Sequence, residues 1–253
     1  MAALVAALGS RSMIAPGIAE LVFEMRVPER LAFRAGQFVS IQVEPPPEAP
    51  ALETPSSTSQ PPPPAHSPRR SYSIASHSSD GDRLRFIIRV VPFGAASHYL
   101  MNLPLGAEVN LTGPHGFFVL DAVHAGDVVF GATGTGLAAV LPMLGELAAR
   151  PEPGRRYVYW GAREESDLFG RPEVEELAAR AGAGLSIYLT APGPTWTGER
   201  GRITAAILEA LPTLRSPTFY LVGNGAMINE LKRELVARGV NRKAQIRTEA
   251  FFD

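Results

Sequence analysis

Apolar positions follow two different rhythms along the chain. In the first half they alternate with polar residues in short runs, at Ile18–Val27, Gln37–Glu44, Arg70–Ser76, Leu84–Val91 and Glu108–Thr112. Gly81, Gly94, Gly106 and Gly113 punctuate these runs. Short strands with turn residues at close spacing predict an antiparallel β-barrel. The second half holds short apolar runs at Asp127–Phe130, Arg156–Trp160, Leu185–Leu189, Thr218–Val222 and Ala244–Arg247. Between them Leu137–Arg150, Pro172–Ala181, Ile203–Leu211 and Ala226–Gly239 are helical in composition, with Pro142 kinking the first or delaying its start. The strict alternation of strand and helix predicts an α/β domain built on a five-stranded parallel sheet. The expected organisation is therefore two domains. A β-barrel domain covers residues 1–122 and an α/β domain covers 123–253, with the composition switching near Asp121–Gly126.

One stretch fits neither rhythm. Ten of the 23 prolines fall between Pro45 and Pro68. Residues 44–68 have no aromatic and little apolar content, so they are expected to form a mobile loop of polyproline character. Composition then narrows the chemistry. Lys plus Arg is 24 and Asp plus Glu is 25 in 253 residues, a net charge of −1. That balance argues against a nucleic-acid partner. The cysteine count is zero, which excludes disulfides, thiolate zinc sites, Cys-ligated iron–sulfur clusters and thiol nucleophiles. Redox chemistry, if present, must come from a bound organic cofactor. The histidines lack metal-ligand spacing, and no G-x-S-x-G hydrolase turn occurs. No apolar run reaches the roughly 18 residues of a membrane span. The apolar start Met1–Leu8 lacks a preceding Lys or Arg and makes a poor signal peptide. A cytoplasmic monomer is expected.

Parallel sheets bind ligands beyond the carboxyl ends of their strands. Here three such ends carry glycine: Gly131-Ala-Thr-Gly134-Thr-Gly136, Gly161-Ala-Arg163 and Gly223-Asn-Gly225-Ala-Met227. Glycine lets backbone approach a phosphate, and the following helix offers free N–H groups. Gly134-x-Gly136-x-x-Ala139 matches a dinucleotide fingerprint with Ala in third place, although the acidic residue expected about 20 positions on is absent. In the barrel half, Arg70-Ser71-Tyr72-Ser73 combines a phosphate fork, a flat aromatic face and hydroxyl donors. Alternation puts Arg70, Tyr72 and Ile74 on one side of the strand and Ser71, Ser73 and Ala75 on the other.

Taken together, these motifs resemble the ferredoxin–NADP(H) reductase family. Ala35-Gly-Gln37-Phe38 is similar to its G-Q-F/Y strand and Arg70-Ser-Tyr72-Ser73 to its R-x-Y-S. Gly94-Ala-Ala-Ser97 is similar to its G-x-x-S/T helix start, and Gly113-Pro-His-Gly116-Phe-Phe118 to G-P-x-G-x-F. Further along, Thr133–Ala138, Gly161-Ala-Arg163 with Asp167-Leu-Phe169, Tyr220–Met227 and Arg247–Phe252 follow in family order. The resemblance covers nearly the whole chain outside the proline-rich stretch. It implies FAD on the barrel and NADPH, with NADH also possible, on the α/β half. The implied partner is a ferredoxin or flavodoxin. It implies that Arg70 holds FAD phosphate, that Tyr72 packs on the isoalloxazine, and that Ser73 bonds near its N5. Gly94 and Ser97 would meet the pyrophosphate, with Ser71, Ile87, Ala95 and Ala96 among the flavin-side contacts. Thr135 and Gly136 would receive the nicotinamide end, and Arg163 and Arg202 the dinucleotide phosphates, with Met227 beside them. Phe251, with Phe252, would cover the flavin face, and Glu249 would handle protons. Ser73 and Glu249 are thus the implied catalytic pair, and no metal is implied.

The chain departs from the family pattern at three places. Val222 stands where the family usually has Cys, and Ala139 stands where Pro often ends the glycine turn. An Arg often found after the third strand is replaced by Thr190-Ala-Pro-Gly193. Two other functions share these residues: a flavin reductase or oxygenase reductase component, and a non-catalytic flavin-binding redox sensor.

Overall fold

A strand that the alternation did not reveal opens the structure. The computed structural model describes residues 4–43, 68–92, 94–123, 126–150 and 153–251. All of the proline-rich stretch except Pro68, and Phe252, lie outside the described residues. Strand β1 (Leu4–Ala15) pairs antiparallel with β2 (Ile18–Val27) and, through Leu4–Ala7, with β6 (Glu108–His115). Its register shifts at Val5/Ala6, Leu8/Ser10 and Met13/Ala15, and these irregularities break the period-two pattern in the sequence. With β3 (Phe38–Gln42), β4 (Arg69–Ser73) and β5 (Arg83–Arg89) it forms one six-stranded antiparallel sheet, in the order β4-β3-β6-β1-β2-β5. The two edges curl together into a barrel, where Ala75 N–H donates to the Arg85 carbonyl at 2.8 Å. Helix α1 (Ala95–Asn102) lies between β5 and β6. Leu21, Phe23, Val39, Ile41, Ile74, Leu84, Phe86 and Leu111 fill the interior.

The second sheet is parallel throughout. It contains β7 (Val128–Thr133), β8 (Arg156–Ala162), β9 (Ala183–Leu189), β11 (Thr218–Asn224) and β12 (Ile246–Phe251). A two-residue strand β10 (Glu199–Arg200) extends the five expected strands at one edge, giving the order β10-β9-β8-β7-β11-β12. Helices α2 (Leu137–Ala148) and α3 (Arg171–Arg180) cover one face, and α4 (Ile203–Ala210) and α5 (Gly225–Ala237) cover the other. Helix α2 starts where the sequence reading placed it and runs through the buried Pro142. The last strand lies further along than Ala244–Arg247. Asn241 caps a short helix α6 (Arg242–Gln245) through Lys243 and Ala244 N–H, so the strand begins only at Ile246. Gly131, Gly161 and Gly223 likewise lie inside strands, not in the loops beyond them.

The two sheets are joined by a shared core. Ile18, Ala35, Ala75, Ile87, Phe118 and Leu120 from the first half pack with Phe130, Val140, Met143, Leu144, Trp160 and Tyr220 from the second. Polar clamps frame it. Arg85 on β5 forks onto Glu173 on α3 (2.8 Å from Nη2 to Oε2) and also bonds Glu20. Arg89 meets Asp167 at 2.9 Å, and Ser78 donates to Glu146 at 3.0 Å. Gly36 sits at the tightest point of the junction, at φ +92°. A methyl group there would stand 2.0 Å from the Phe118 carbonyl oxygen and 2.2 Å from Met143 Cε. Gly36→Ala is therefore expected to destabilise the protein by about 3 kcal/mol or more. Urea unfolding measures this, and an unchanged midpoint would contradict the close packing.

Candidate functional site

The junction brings residues from opposite ends of the chain together. Ser73 ends β4, directly opposite Phe38 on β3, and Phe38 in turn pairs with His115 on β6. Tyr72 and Ile74 turn toward the barrel core, while Ser73 and Ala75 turn toward the α/β half, as alternation requires. Glu249 lies on β12, in register with Val222 on β11. The Ser73 hydroxyl donates to Glu249 Oε1 at 2.9 Å, across 176 positions of sequence. Gly116 closes the group from below: a Cβ there would lie 3.1 Å from the Phe38 ring and 3.5 Å from Glu249 Oε2.

Burial pushes the Glu249 carboxyl up to about 7, against the downward pull of its bond from Ser73. Near neutral pH this group can therefore both hold and release a proton. Burial also pushes the Tyr72 phenol up to about 12, with the Arg70 cation pulling it down. Tyr72 packs against Phe86 at 6.3 Å between ring centroids, and its hydroxyl has no hydrogen-bond partner among the described residues. Arg70 is exposed; among the described residues it bonds the Arg69 carbonyl at 3.0 Å and pairs with no carboxylate. Ser71 is exposed and bonds Ser40 at 3.1 Å.

The other predicted flavin-side residues divide. Gly94 caps α1, whose first turn carries no acidic residue and no side-chain cap, so Ala95 and Ala96 present free backbone N–H groups. Ser97 is buried, and its hydroxyl works within the turn. It accepts from Val91 N–H at 3.2 Å and lies 3.0 Å and 3.1 Å from the Gly94 and Val91 carbonyl oxygens. Ile87 is buried in the shared core on the outer side of β5.

A cleft of about 540 Å³ opens over the carboxyl ends of β7, β8, β9 and β11. The helices change face between β7 and β11, which makes this the switch point of the sheet. The Gly134–Gly136 turn and the end of β11 meet there with almost no space between them. A Cβ on Gly136 would lie 2.9 Å from Gly223 Cα, and one on Gly223, at φ +114°, would lie 2.4 Å from Thr133 Oγ1. Asn224 N–H donates to Thr133 Oγ1 at 2.8 Å. Thr135 and Gly136 form the 3-10 turn Gly134–Gly136 beside the cleft, while Arg163, Arg202 and Met227 line it. Phe251 ends β12 opposite Asn224 and packs on the shared core. Sequence reasoning missed Arg89, Thr190, Thr204, Asn224 and Glu230, which also line the cleft. Asn224 was legible in principle, as an N-cap whose side chain accepts from Met227 N–H at 3.0 Å. The others carry no local signal, because the fold alone gathers them.

Barrel, switch-point cleft and bridging carboxylate together define a two-domain oxidoreductase with one cofactor site on each half. The comparisons agree. Residues 6–120 match the oxidoreductase FAD-binding domain, and residues 130–233 match the oxidoreductase NAD-binding domain. Ferredoxin–NADP reductase B of Sorangium cellulosum is 31% identical over 233 residues, covering 89% of this chain and 87% of that protein. A Ralstonia protein, the ferredoxin–NAD(P)(+) reductase component of naphthalene 1,2-dioxygenase/salicylate 5-hydroxylase systems, is 35% identical over 185 residues. That match spans 72% of this chain but 56% of the Ralstonia protein. The crystal structure of Amycolatopsis cytochrome P450 reductase GcoB superposes with a TM-score of 0.82 at 26% identity, over 99% of this chain and 70% of that one. The chain belongs to the ferredoxin–NADP reductase family, with FAD and NAD(P)H as its cofactors. Among the described residues, no helix is long and apolar enough to cross a membrane.

The residues present fit both groups. Among the described residues, the barrel side offers a guanidinium that no carboxylate pairs, a phenol hydroxyl with no hydrogen-bond partner and a helix start with no side-chain cap. In the cleft, Thr204 Oγ1 is buried without a partner among the described residues, and the Cβ directions of Gly134 and Gly201 meet nothing within 4 Å.

The raised Glu249 carboxyl gives a stability signature. Between its ordinary value of 4.5 and about 7, the folded chain keeps a proton that the unfolded chain releases. Its contribution to stability therefore falls as pH rises through that window. Relative to Glu249→Gln, the wild type should lose about 2 kcal/mol between pH about 5 and about 8. Urea unfolding at both pH values tests this, and parallel pH dependences for the two proteins would contradict it.

Proposed function

We propose that this chain takes reducing equivalents from NAD(P)H through FAD and delivers them singly to a separate carrier protein, a ferredoxin or flavodoxin. The observation that carries the reading is the Ser73–Glu249 bond, which ties the barrel to β12, the strand next to the cleft-forming β11. FAD, when bound, supplies the hydride acceptor and the one-electron donor. The chain has no cysteine to ligate an iron–sulfur cluster, so the next carrier is a different polypeptide or domain. The relatives that name a ferredoxin in their own function support this acceptor. Oxygenase reductase components among the relatives keep a second acceptor class, an oxygenase partner, in view.

The residues divide the work by position, with the division between the halves placed at 122/123. Arg70 binds a phosphate, with Ser71 beside it. Ala95 and Ala96 N–H groups would meet the pyrophosphate at the start of α1, where Gly94 packs against Ser97 and Val91 with no room for a side chain. Ser97 holds that turn in shape, and Ile87 supports β5 from behind. Tyr72 and Phe251 would pack on the flavin ring system from the barrel half and from the last strand, respectively. Ser73 and Glu249 hold a proton at the ring edge, the carboxyl supplying it and the hydroxyl positioning it. Thr135, Gly136, Arg163, Arg202 and Met227 bind the dinucleotide.

Two substitutions separate these roles. Tyr72→Ala should weaken FAD retention by about tenfold. Ser73→Ala should keep FAD but slow flavin reduction by NAD(P)H roughly ten- to hundredfold. Visible absorbance after gel filtration and anaerobic stopped-flow measure the two. Unchanged retention in the first and unchanged reduction in the second would overturn the site assignment.

A further inference from the structure

Three guanidinium groups line the nucleotide cleft, and each faces a carboxylate. Arg89 lies 2.9 Å from Asp167, Arg163 lies 3.4 Å from Glu164, and Arg202 lies 3.9 Å from Glu230. Asp167 and Glu230 themselves line the cleft. Their situations differ. Asp167 is committed to the structure: it is 19% exposed, bonds Arg89 across the domain junction and accepts from Glu164 N–H at 3.2 Å. Glu230, on α5, is 39% exposed, and the loose contact with Arg202 is its one ion pair among the described residues. It is the carboxylate that a ligand would meet.

The position of the pair gives it a consequence. Arg202 follows β10, at the edge of the sheet opposite β12 and hence away from the Ser73–Glu249 pair. On the reading proposed above, hydride transfer brings the nicotinamide to the flavin beside Ser73–Glu249, so the adenosine end of the dinucleotide would extend along the cleft toward Arg202. The same end holds the Thr204 hydroxyl, which has no partner among the described residues, and the open space beside Gly201. The two nicotinamide dinucleotides differ there by one group. NADH presents a ribose 2′-hydroxyl, which can donate to a carboxylate; NADPH presents a 2′-phosphate dianion, which a carboxylate repels. Arg202 would attract that phosphate, but the chain puts Thr190-Ala-Pro-Gly193 after its third strand, and the nearby Arg200 guanidinium is engaged on the Gly193 and Trp196 carbonyls.

We propose that Glu230 discriminates against the 2′-phosphate by engaging Arg202 and by placing a negative charge at the ribose end, so that the cleft favours NADH. This rests on the assignment of the cleft to the dinucleotide. Binding of 5′-AMP and of adenosine 2′,5′-bisphosphate to the FAD-loaded protein, each measured by titration calorimetry, tests it without turnover. The wild type should bind the bisphosphate no more tightly than 5′-AMP. Glu230→Gln should tighten the bisphosphate relative to 5′-AMP by about tenfold, and adding Arg202→Ala should abolish that gain. The ratio of kcat/KM for NADPH to that for NADH should rise in parallel in Glu230→Gln. A wild type that already strongly prefers the bisphosphate, or a ratio that Glu230→Gln leaves within about twofold, would overturn the proposal. If the wild type binds neither probe, the assignment of the cleft fails, and the role of Glu230 fails with it.

Discussion

The site depends first on the packing between the two sheets. Ser73 and Glu249 belong to elements at opposite ends of the chain, and a hydrogen bond between them needs both sheets placed to within a few tenths of an ångström. Side chains alone would not hold that position, because an exposed ion pair contributes little and long side chains adapt. The shared core does hold it. Phe118, Met143, Tyr220 and Ile87 are buried at the junction, and Gly36 lets backbone approach backbone there with no room for a methyl group. The Arg85 fork onto Glu173 and the Arg89–Asp167 pair add polar contacts across the same junction.

From that constraint the chemistry of the site follows. The junction that orders Glu249 also removes it from water, and this raises its carboxyl into the neutral range. A carboxyl held by a neutral hydroxyl, and not by a cation, can exchange a proton at working pH. The second half contributes the other requirement, an open cleft over strand ends, where the close approach of Gly136 and Gly223 holds Thr133, Gly134 and Asn224 along its wall. Val222 stands on β11 beside Glu249 in register and is fully buried, so the position the family usually gives to Cys is here a packing residue.

Most of this architecture was legible because its signals are periodic. Alternation marked β2 to β6, and the strand–helix rhythm marked the parallel sheet. Strand β1 escaped because three register shifts destroy its period, and β12 was misplaced because the Asn241 cap turns Ala244 and Gln245 into helix. Site residues carried by contiguous motifs, such as Arg70–Ser73 and Gly134–Gly136, could be named from sequence. Arg89, Thr204 and Glu230 could not, because each is an unremarkable residue on its own element and acquires meaning only where β5, α4 and α5 converge. Ser97 was marked by its motif as part of a helix start, and its hydroxyl bonds within that turn.

The central claim is that one polypeptide unites a flavin on the barrel with a nicotinamide nucleotide in the cleft. The visible absorption spectrum of the purified protein, followed during anaerobic addition of NADH and then of NADPH, tests it most directly. The account predicts a flavin spectrum, as isolated or after adding FAD, that bleaches on addition of a nicotinamide nucleotide. A protein that takes up no FAD, or a bound flavin that neither nucleotide reduces, would contradict it.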